Sequence, residues 1–83
     1  MARLLYFGVV GDKAGRREET LALPAEVRTG ADLRGFLIAR TPALAEPLTD
    51  GRVRLAVNQE IAPWEAELGD GDEIAFLPPM SGG

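Results

Sequence analysis

A single amphipathic segment separates two pairs of predicted strands, and this order constrains the fold of the 83-residue chain more than any other feature. Leu33, Phe36 and Leu37 recur at the spacing of one helix face. Thr29 stands at the N-cap position and Pro42 closes the segment. Two strands, one helix and two strands fit neither a doubly wound sheet nor a sandwich. The sequence therefore predicts an α+β domain, with a mixed sheet of four to five strands packed on one main helix.

The predicted strands are short runs of branched and aromatic residues that end at turn signals. The glycines between the first two runs lack the spacing of a phosphate-binding loop, and we interpret Gly8, Gly11 and Gly15 as the connection of a hairpin. Residues 43–48 are expected to add a short helical turn, and residues 61–64 an irregular edge. The four strands are predicted at residues 3–9, 17–23, 52–58 and 73–77.

A sheet that wraps one helix in this order is the β-grasp arrangement, which would pair the first and last strands side by side at its centre. Because side chains alternate along a strand, Ala75 and Leu77 are expected to face away from Ile74 and Phe76. The register between strands stays open. The expected core draws on Leu5, Phe7, Leu21, Leu33, Phe36, Leu37, Val57, Ile74 and Phe76.

The composition argues against self-contained catalysis. The chain has no cysteine and no histidine, which excludes disulfides, thiolate nucleophiles, cysteine metal sites and the commonest general base. Serine occurs only as Ser81 and lysine only as Lys13. We therefore expect no metal site and a chain that is not catalytic alone.

Net charge and hydropathy limit the classes of partner that the chain is expected to bind. A net charge of −4 disfavours binding to nucleic acid, which normally needs a basic surface. No apolar run approaches the ~20 residues that span a bilayer, and the N-terminal residues do not have the pattern of a signal peptide. We therefore expect a cytoplasmic protein that acts neither on nucleic acid nor at membranes.

The acidic residues are unevenly distributed. Residues 1–54 carry nine basic and seven acidic side chains, whereas residues 55–83 carry six acidic and no basic ones. This distribution is typical of a solvated acidic surface, or of an acidic shoulder that steers the chain toward a basic partner. Asp70, Asp72 and Glu73 do not fit a calcium-loop pattern, and we interpret them as a turn before the last strand.

The last residues form a distinct segment. Pro78 and Pro79 fix two φ angles and remove two backbone donors, so sheet pairing should stop there. Gly82 and Gly83 have no Cβ, and a carboxylate on so thin a stem can enter a channel too narrow for other residues. The expected boundaries are 1–83 for a single domain, about 1–78 for its globular core and 79–83 for a flexible, protruding Gly-Gly tail.

The C-terminal stretch resembles a known family. Residues 68–83, with an Asp-Gly-Asp-Glu turn and a Pro-Pro-Met-Ser-Gly-Gly ending, closely resemble the small subunit of molybdopterin synthase, a sulfur carrier with a ubiquitin-like β-grasp fold. The strand end at residues 56–58 and an early aromatic strand with Phe7 fit the same family. The resemblance implies a sulfur carrier in molybdenum cofactor biosynthesis.

In that family, an activating enzyme of the ubiquitin-E1 type adenylates the terminal glycine with ATP, and a sulfur donor then converts it to a thiocarboxylate. The matching residue is Gly83. The loaded tail inserts into the large subunit, which supplies the catalytic residues and binds cyclic pyranopterin monophosphate, and two sulfur transfers build the molybdopterin dithiolene. The resemblance thus implies three partners: a large subunit in a heterotetramer, an E1-like adenylyltransferase and a sulfur donor. It implies no stably bound cofactor.

The resemblance also assigns roles to individual residues. Gly83 carries the acyl-adenylate and then the thiocarboxylate, Gly82 permits an extended thread, and Ser81 and Met80 line the way into the partner. The candidates for an apolar docking patch around the base of the tail are Phe7, Ile61 and Leu77.

Three alternatives stay open. A sulfur carrier of another pathway, such as thiamine biosynthesis, shares the fold and the Gly-Gly ending. A ubiquitin-like modifier would join Gly83 to a lysine of a target protein, and a plain interaction module would have an inert tail. The residues that precede the glycines and the length of the chain favour the molybdopterin carrier.

We predict that Gly82→Val blocks insertion of the tail while the thermal unfolding midpoint stays nearly unchanged, because a branched side chain widens the stem without touching the core. Thermal melting followed by circular dichroism, beside an assay of sulfur transfer, checks both halves. Marked unfolding would show that the tail is part of the folded core.

Overall fold

The computed structural model describes residues 1–79, which form one mixed sheet with helices packed on one of its faces. The sequence predicted four to five strands, one main helix and a short helical turn at residues 43–48, and the structure confirms these and adds one short helix directly after the first strand. The strands are β1 (Ala2–Tyr6), β2 (Glu18–Leu21), β3 (Arg54–Val57), β4 (Glu60–Ala62) and β5 (Glu73–Leu77). The helices are α1 (Gly8–Ala14), α2 (Gly30–Arg40) and α3 (Ala45–Thr49), with a 3-10 turn at Pro42–Leu44.

The first and last strands lie together in the middle of the sheet, whose order is β2-β1-β5-β3-β4. β1 and β5 run parallel, with Tyr6 beside Phe76, and β3 pairs antiparallel with the other side of β5. The ring of Phe76 is stacked between those of Tyr6, 6.0 Å away, and Trp64, 6.2 Å away. The predicted central pairing is therefore confirmed, and Phe76 is the aromatic centre of the core.

The register of β1 differs from the expected core. Leu4 and Tyr6 are buried against the helices, whereas Leu5 lies half-buried on the opposite face and Phe7 is 46% exposed. The assignment of Leu5 and Phe7 to the core was wrong. Apolar residues occupy both faces of this strand, so its pattern does not reveal which set turns inward.

A hydrogen-bond network allows a tyrosine to occupy this core. The Tyr6 hydroxyl donates to Glu19 Oε1 at 2.6 Å, and Arg16 and Arg40 form ion pairs with the same carboxylate. Burial raises the pKa of the Tyr6 hydroxyl above its ordinary value. Burial also acts to raise the pKa of Glu19, but hydrogen bonds from Arg40 and Tyr6 outweigh it and lower that pKa overall. The phenol therefore stays protonated and the carboxylate stays charged at neutral pH.

The predicted hairpin is confirmed in its antiparallel pairing of β1 and β2, but the glycines that connect the two strands belong to a helix, which the sequence analysis did not predict. Gly8 begins α1, and Gly15 ends it in the left-handed region with φ of 77°. Val10 points into the core, and a Cβ on Gly11 would lie 2.8 Å from the Tyr6 carbonyl oxygen. The glycines thus allow a short helix to pack closely against the core. This helix lies between β1 and β2 in sequence, while the two strands pair directly with each other.

The main helix begins where the sequence predicted. Thr29 Oγ1 accepts from the Asp32 amide at 3.1 Å, and Asp32 accepts from the Thr29 amide at 3.2 Å, which is a reciprocal capping box. Leu33 and Leu37 are fully buried and Phe36 packs at the edge of the core. Within residues 1–79, no helix is long and apolar enough to cross a membrane.

Two glycines of α2 predict opposite effects of the same substitution. A Cβ on Gly30 would overlap Leu55 Cδ2 and lie 3.1 Å from the Trp64 carbonyl oxygen, whereas a Cβ on Gly35 would meet nothing within 4 Å. We expect Gly30→Ala to lower the free energy of unfolding by about 1–3 kcal/mol through overpacking. Gly35→Ala should raise it by up to about 1 kcal/mol through helix propensity. Urea denaturation of both variants measures this, and equal shifts would contradict the packing at Gly30.

Candidate functional site

The base of the tail is built where β1 and β5 end. Because the two strands are parallel, Phe7 and Gly8 leave β1 at the same sheet edge at which Pro78 follows β5. Gly8 and Pro78 pack closely, since a Cβ on Gly8 would lie 3.0 Å from Pro78 Cγ. We call Phe7, Gly8, Leu77 and Pro78 the tail base. The folded domain therefore fixes the point from which residues 80–83 continue.

Gly8 meets two requirements at the tail base. Its φ of 54° lies in the left-handed region that favours glycine, and its missing side chain leaves room for Pro78. Arg17 Nη1 donates to the Gly8 carbonyl oxygen at 3.4 Å, and Arg17 Nη2 donates to Asp12 at 3.3 Å. This corner is thus held by backbone conformation and by a charged side chain.

The sheet has an apolar outer face, which we define as the face turned away from the helices. The strand registers place Leu5, Ala75, Ala56 and Ile61 in one row across β1, β5, β3 and β4. A sheet with one solvated face normally carries polar residues at such positions. The prediction that Ala75 and Leu77 face away from Ile74 and Phe76 is confirmed, whereas Leu5 and Ala56 were not predicted to lie on this face. The signal was present, because alanine and leucine stand where the alternation calls for polar residues.

The structure places the predicted docking residues along this surface. Leu77 follows Ala75 on the outer face and is half-buried, while Ile61 lies on the edge strand β4 and is 64% exposed. Phe7 extends β1 at the tail end. The sheet therefore presents Ile61 and Leu77 on one side, with Phe7 at its rim. Their role in docking stays a prediction.

The acidic cluster lies at the other end of β5. Glu73 is the first residue of that strand and Leu77 the last, about 13 Å apart at 3.3 Å per residue. Asp72 accepts from Asn58 Nδ2 at 3.0 Å and from the Gly69 amide at 2.7 Å, and these bonds lower its pKa. The predicted turn before the last strand is confirmed at Asp70 and Gly71, where the Asp72 amide donates to the Gly69 carbonyl oxygen at 3.2 Å. An acidic shoulder, if it steers a partner, lies away from the tail base.

The four tail residues with predicted roles lie outside the described residues. Met80, Ser81, Gly82 and Gly83 follow Pro79, where the described structure ends. Their assignments as lining, thread and sulfur-bearing residue stay predictions.

Five strands wrapped on α2, with the first and last strands paired at the centre, define a ubiquitin-like β-grasp fold. Residues 4–83 match the model of the ThiS family, and the chain belongs to that family. It is 43% identical to the molybdopterin synthase sulfur carrier subunit of Mycobacterium tuberculosis, over 96% of this chain and 94% of the relative. It is 36% identical to the subunit of that name in Escherichia coli, over the full length of both.

A solved structure shares the fold. The chain resembles the small archaeal modifier protein SAMP1 from Haloferax volcanii with a TM-score of 0.81 and 26% identity, over 99% of this chain and 98% of that one. A carrier family and a modifier thus share this scaffold.

Substitutions at two left-handed glycines separate the tail base from general stability. Gly8→Ala and Gly15→Ala both force an alanine to positive φ, which costs about 1–2 kcal/mol of folding free energy each. Only the Gly8 variant also presses on Pro78, since nothing lies within 4 Å of a Cβ on Gly15. We expect both to lower the unfolding midpoint, and Gly8→Ala alone to reduce sulfur transfer from the loaded tail. Equal activity of the two variants would argue against a role for the Gly8–Pro78 contact.

Proposed function

We propose that this chain is the sulfur carrier subunit of a molybdopterin synthase. The observation that carries the proposal is identity to subunits of that name along the whole chain, 43% and 36%, with no large insertion on either side. The fold supports it because Pro78 and Pro79 follow β5 out of the sheet at the tail base, where the described structure ends. The Gly-Gly ending supplies the thin stem that insertion into a partner requires.

The position of β5 in the middle of the sheet suits the strand to which the tail is attached. It is hydrogen-bonded to β1 on one side and to β3 on the other, and its residues Ile74 and Phe76 are fully buried. Pulling the tail would therefore have to break two ladders and expose the core. Pro78 and Pro79 then have no N–H to extend either ladder. The fold resists transmission of tail movement into the sheet.

The proposed chemistry takes place at Gly83. A carboxylate is a poor electrophile until it becomes a mixed anhydride, so an E1-like adenylyltransferase joins it to AMP from ATP and releases pyrophosphate. Sulfide-level sulfur from the donor then attacks the carbonyl carbon: a C–S bond forms, the C–O bond to AMP breaks, and AMP leaves, so that the chain end becomes a thiocarboxylate without a change of oxidation state. ATP thus belongs to the activating enzyme, and the carrier itself holds no cofactor stably. A terminal thioacid stores sulfur without any cysteine, of which the chain has none.

The outer face is the proposed docking surface for the large subunit. Ile61 and Phe7, together with the half-buried Leu77, supply the exposed apolar area, because Ala56 and Ala75 between them are already buried. Burial of such a surface contributes about 25 cal/mol per Å². Part of that gain offsets the loss of freedom of the tail when it enters the partner. The large subunit would supply the catalytic groups that this chain lacks, in a heterotetramer of two carriers and two large subunits.

We predict that ATP, the cognate activating enzyme and a sulfur donor exchange one oxygen for sulfur at Gly83. Intact-mass spectrometry detects the exchange, and a variant that lacks Gly83 is the matched control because the described fold is unchanged in it. The proposal fails if no mass change occurs, or if the change persists without Gly83.

The same preparation distinguishes the pathway. Thiocarboxylated carrier mixed with the large subunit and cyclic pyranopterin monophosphate should yield the dithiolene. If it yields none while the thiocarboxylate forms, a carrier of another pathway, such as thiamine biosynthesis, is favoured.

Similarity to an archaeal modifier protein favours a second candidate function, in which Gly83 forms an isopeptide bond with a lysine of another protein. Incubation of tagged carrier and the activating enzyme with cell extract tests it. Conjugates that resist reducing agent and require Gly83 would support the modifier, whereas a thiocarboxylate without conjugates supports the sulfur carrier.

A further inference from the structure

The outer face carries one charge that the described chain does not balance. The charged side chains that its strands present are those of Arg3, Glu18, Glu73 and Arg54. Arg3 lies between the two carboxylates, 3.1 Å from Glu18 and 3.3 Å from Glu73. Arg54 forms no ion pair with any of residues 1–79. Arg3, Glu18 and Glu73 thus neutralise one another in part, whereas Arg54 has no ion-pair partner among the described residues.

The strand register explains this separation. Arg54 pairs with Leu77 at the last position of β5, whereas Glu73 lies at the first. Four residues of strand place them about 13 Å apart, well beyond ion-pair distance. The neighbours of Arg54 on the outer face are Leu77 and Ala56, which have no polar side-chain atoms. Arg54 is therefore an exposed cation at the end of the outer face that lies nearest the tail base.

A partner that covers this surface removes water from the Arg54 guanidinium. Removing a guanidinium from water is unfavourable unless an acceptor replaces the water. Arginine pairs best with a carboxylate, which it binds through two parallel hydrogen bonds. We infer that the large subunit presents an aspartate or glutamate to Arg54, next to the opening that receives the tail. This inference rests on the proposed function.

Such a pair would supply what the apolar patch lacks. Hydrophobic contact is non-directional, so the alanines and leucines of the outer face do not by themselves fix how the partner is rotated on the sheet. A two-point hydrogen bond at the tail end fixes that rotation and aligns the tail base with the opening. A carboxylate there also attracts Arg54 before contact and repels wrongly placed acidic surfaces. Arg54 is thus a positioning residue.

The test measures binding of the full chain to the cognate large subunit by calorimetry, with four charge variants. Arg54→Glu should weaken binding at least about tenfold, because it places two carboxylates together. Arg54→Gln should weaken it less than Arg54→Glu, and Arg54→Lys, which keeps the charge but not the two-point hydrogen bond, should fall between the wild type and Arg54→Gln. Arg28→Glu is the matched control: it changes the net charge equally, is exposed, and stands just before α2 on the other side of the sheet. It should stay within about twofold.

Two further measurements separate a charge effect from lost packing. Raising the salt from about 50 mM to about 300 mM should weaken the wild type and Arg54→Lys more than Arg54→Gln. If Arg54→Lys and Arg54→Gln bind alike at low salt, the side chain contributes packing only and the inference is wrong. Circular dichroism confirms that each variant is folded.

Ile61→Asp distinguishes failure of the inference from failure of the proposed docking. If Ile61→Asp abolishes binding while Arg54→Glu behaves like Arg28→Glu, the outer face is the docking surface but the partner has no carboxylate opposite Arg54. If neither Ile61→Asp nor Arg54→Glu affects binding, or if the wild type does not bind, the proposed docking on the outer face fails, and the inference about Arg54 fails with it.

Discussion

Parallel hydrogen bonding between β1 and β5 is the constraint on which the rest of the structure depends. It joins residues as far apart in sequence as Arg3 and Glu73, whose side chains also form an ion pair. Because both strands run in the same direction, their ends lie at one sheet edge, and the segment after β1 becomes the support for the segment after β5. The contact of Gly8 with Pro78 follows directly from this geometry. An antiparallel pairing would have placed the tail base beside the N-terminus instead.

β5 contributes side chains to both faces of the sheet. β5 is buried at Ile74 and Phe76 by the helices, and its Ala75 is also nearly buried on the outer face. Small residues at Ala75 and Ala56, directly opposite each other, keep the outer face flat. A flat apolar surface suits a partner, but it gives that partner no preferred rotation. Under the proposed docking, an isolated charge at the end of this face therefore has more consequence for the orientation of the partner than the same charge on the solvated side of α2.

The sequence predicted the fold wherever one physical signal dominated. The capping residues and the i, i+3, i+4 spacing located α2, and the branched run before the prolines located β5 with its observed boundaries. It failed where two patterns competed. β1 is apolar on both faces, so alternation did not reveal that Leu4 and Tyr6 turn inward. Residues 8–15 are rich in glycine and were interpreted as a connection without a helix, although their small size allows α1 to pack closely against its neighbours. For the site, the resemblance selected Ile61 and Leu77. The position of Arg54 beside Leu77 required the register, which depends on pairing between strands distant in sequence.

Separation of folding from chemistry accounts for the composition. The buried core of the described chain ends at Phe76, and its one buried hydroxyl, that of Tyr6, is fully engaged by Glu19. No residue of that core is available as a nucleophile or general base, and the proposed chemistry accordingly lies at the chain end, outside the core. In the proposed function the carrier is recognised by an activating enzyme and by the large subunit in turn, and its small surface makes overlap of the two contact areas hard to avoid. The physical consequence is that the carrier exchanges between partners rather than binding both. Such exchange favours moderate affinity for each partner, and the proposed docking face, oriented by the one ion pair inferred for Arg54, would meet that condition better than an extensive charged interface.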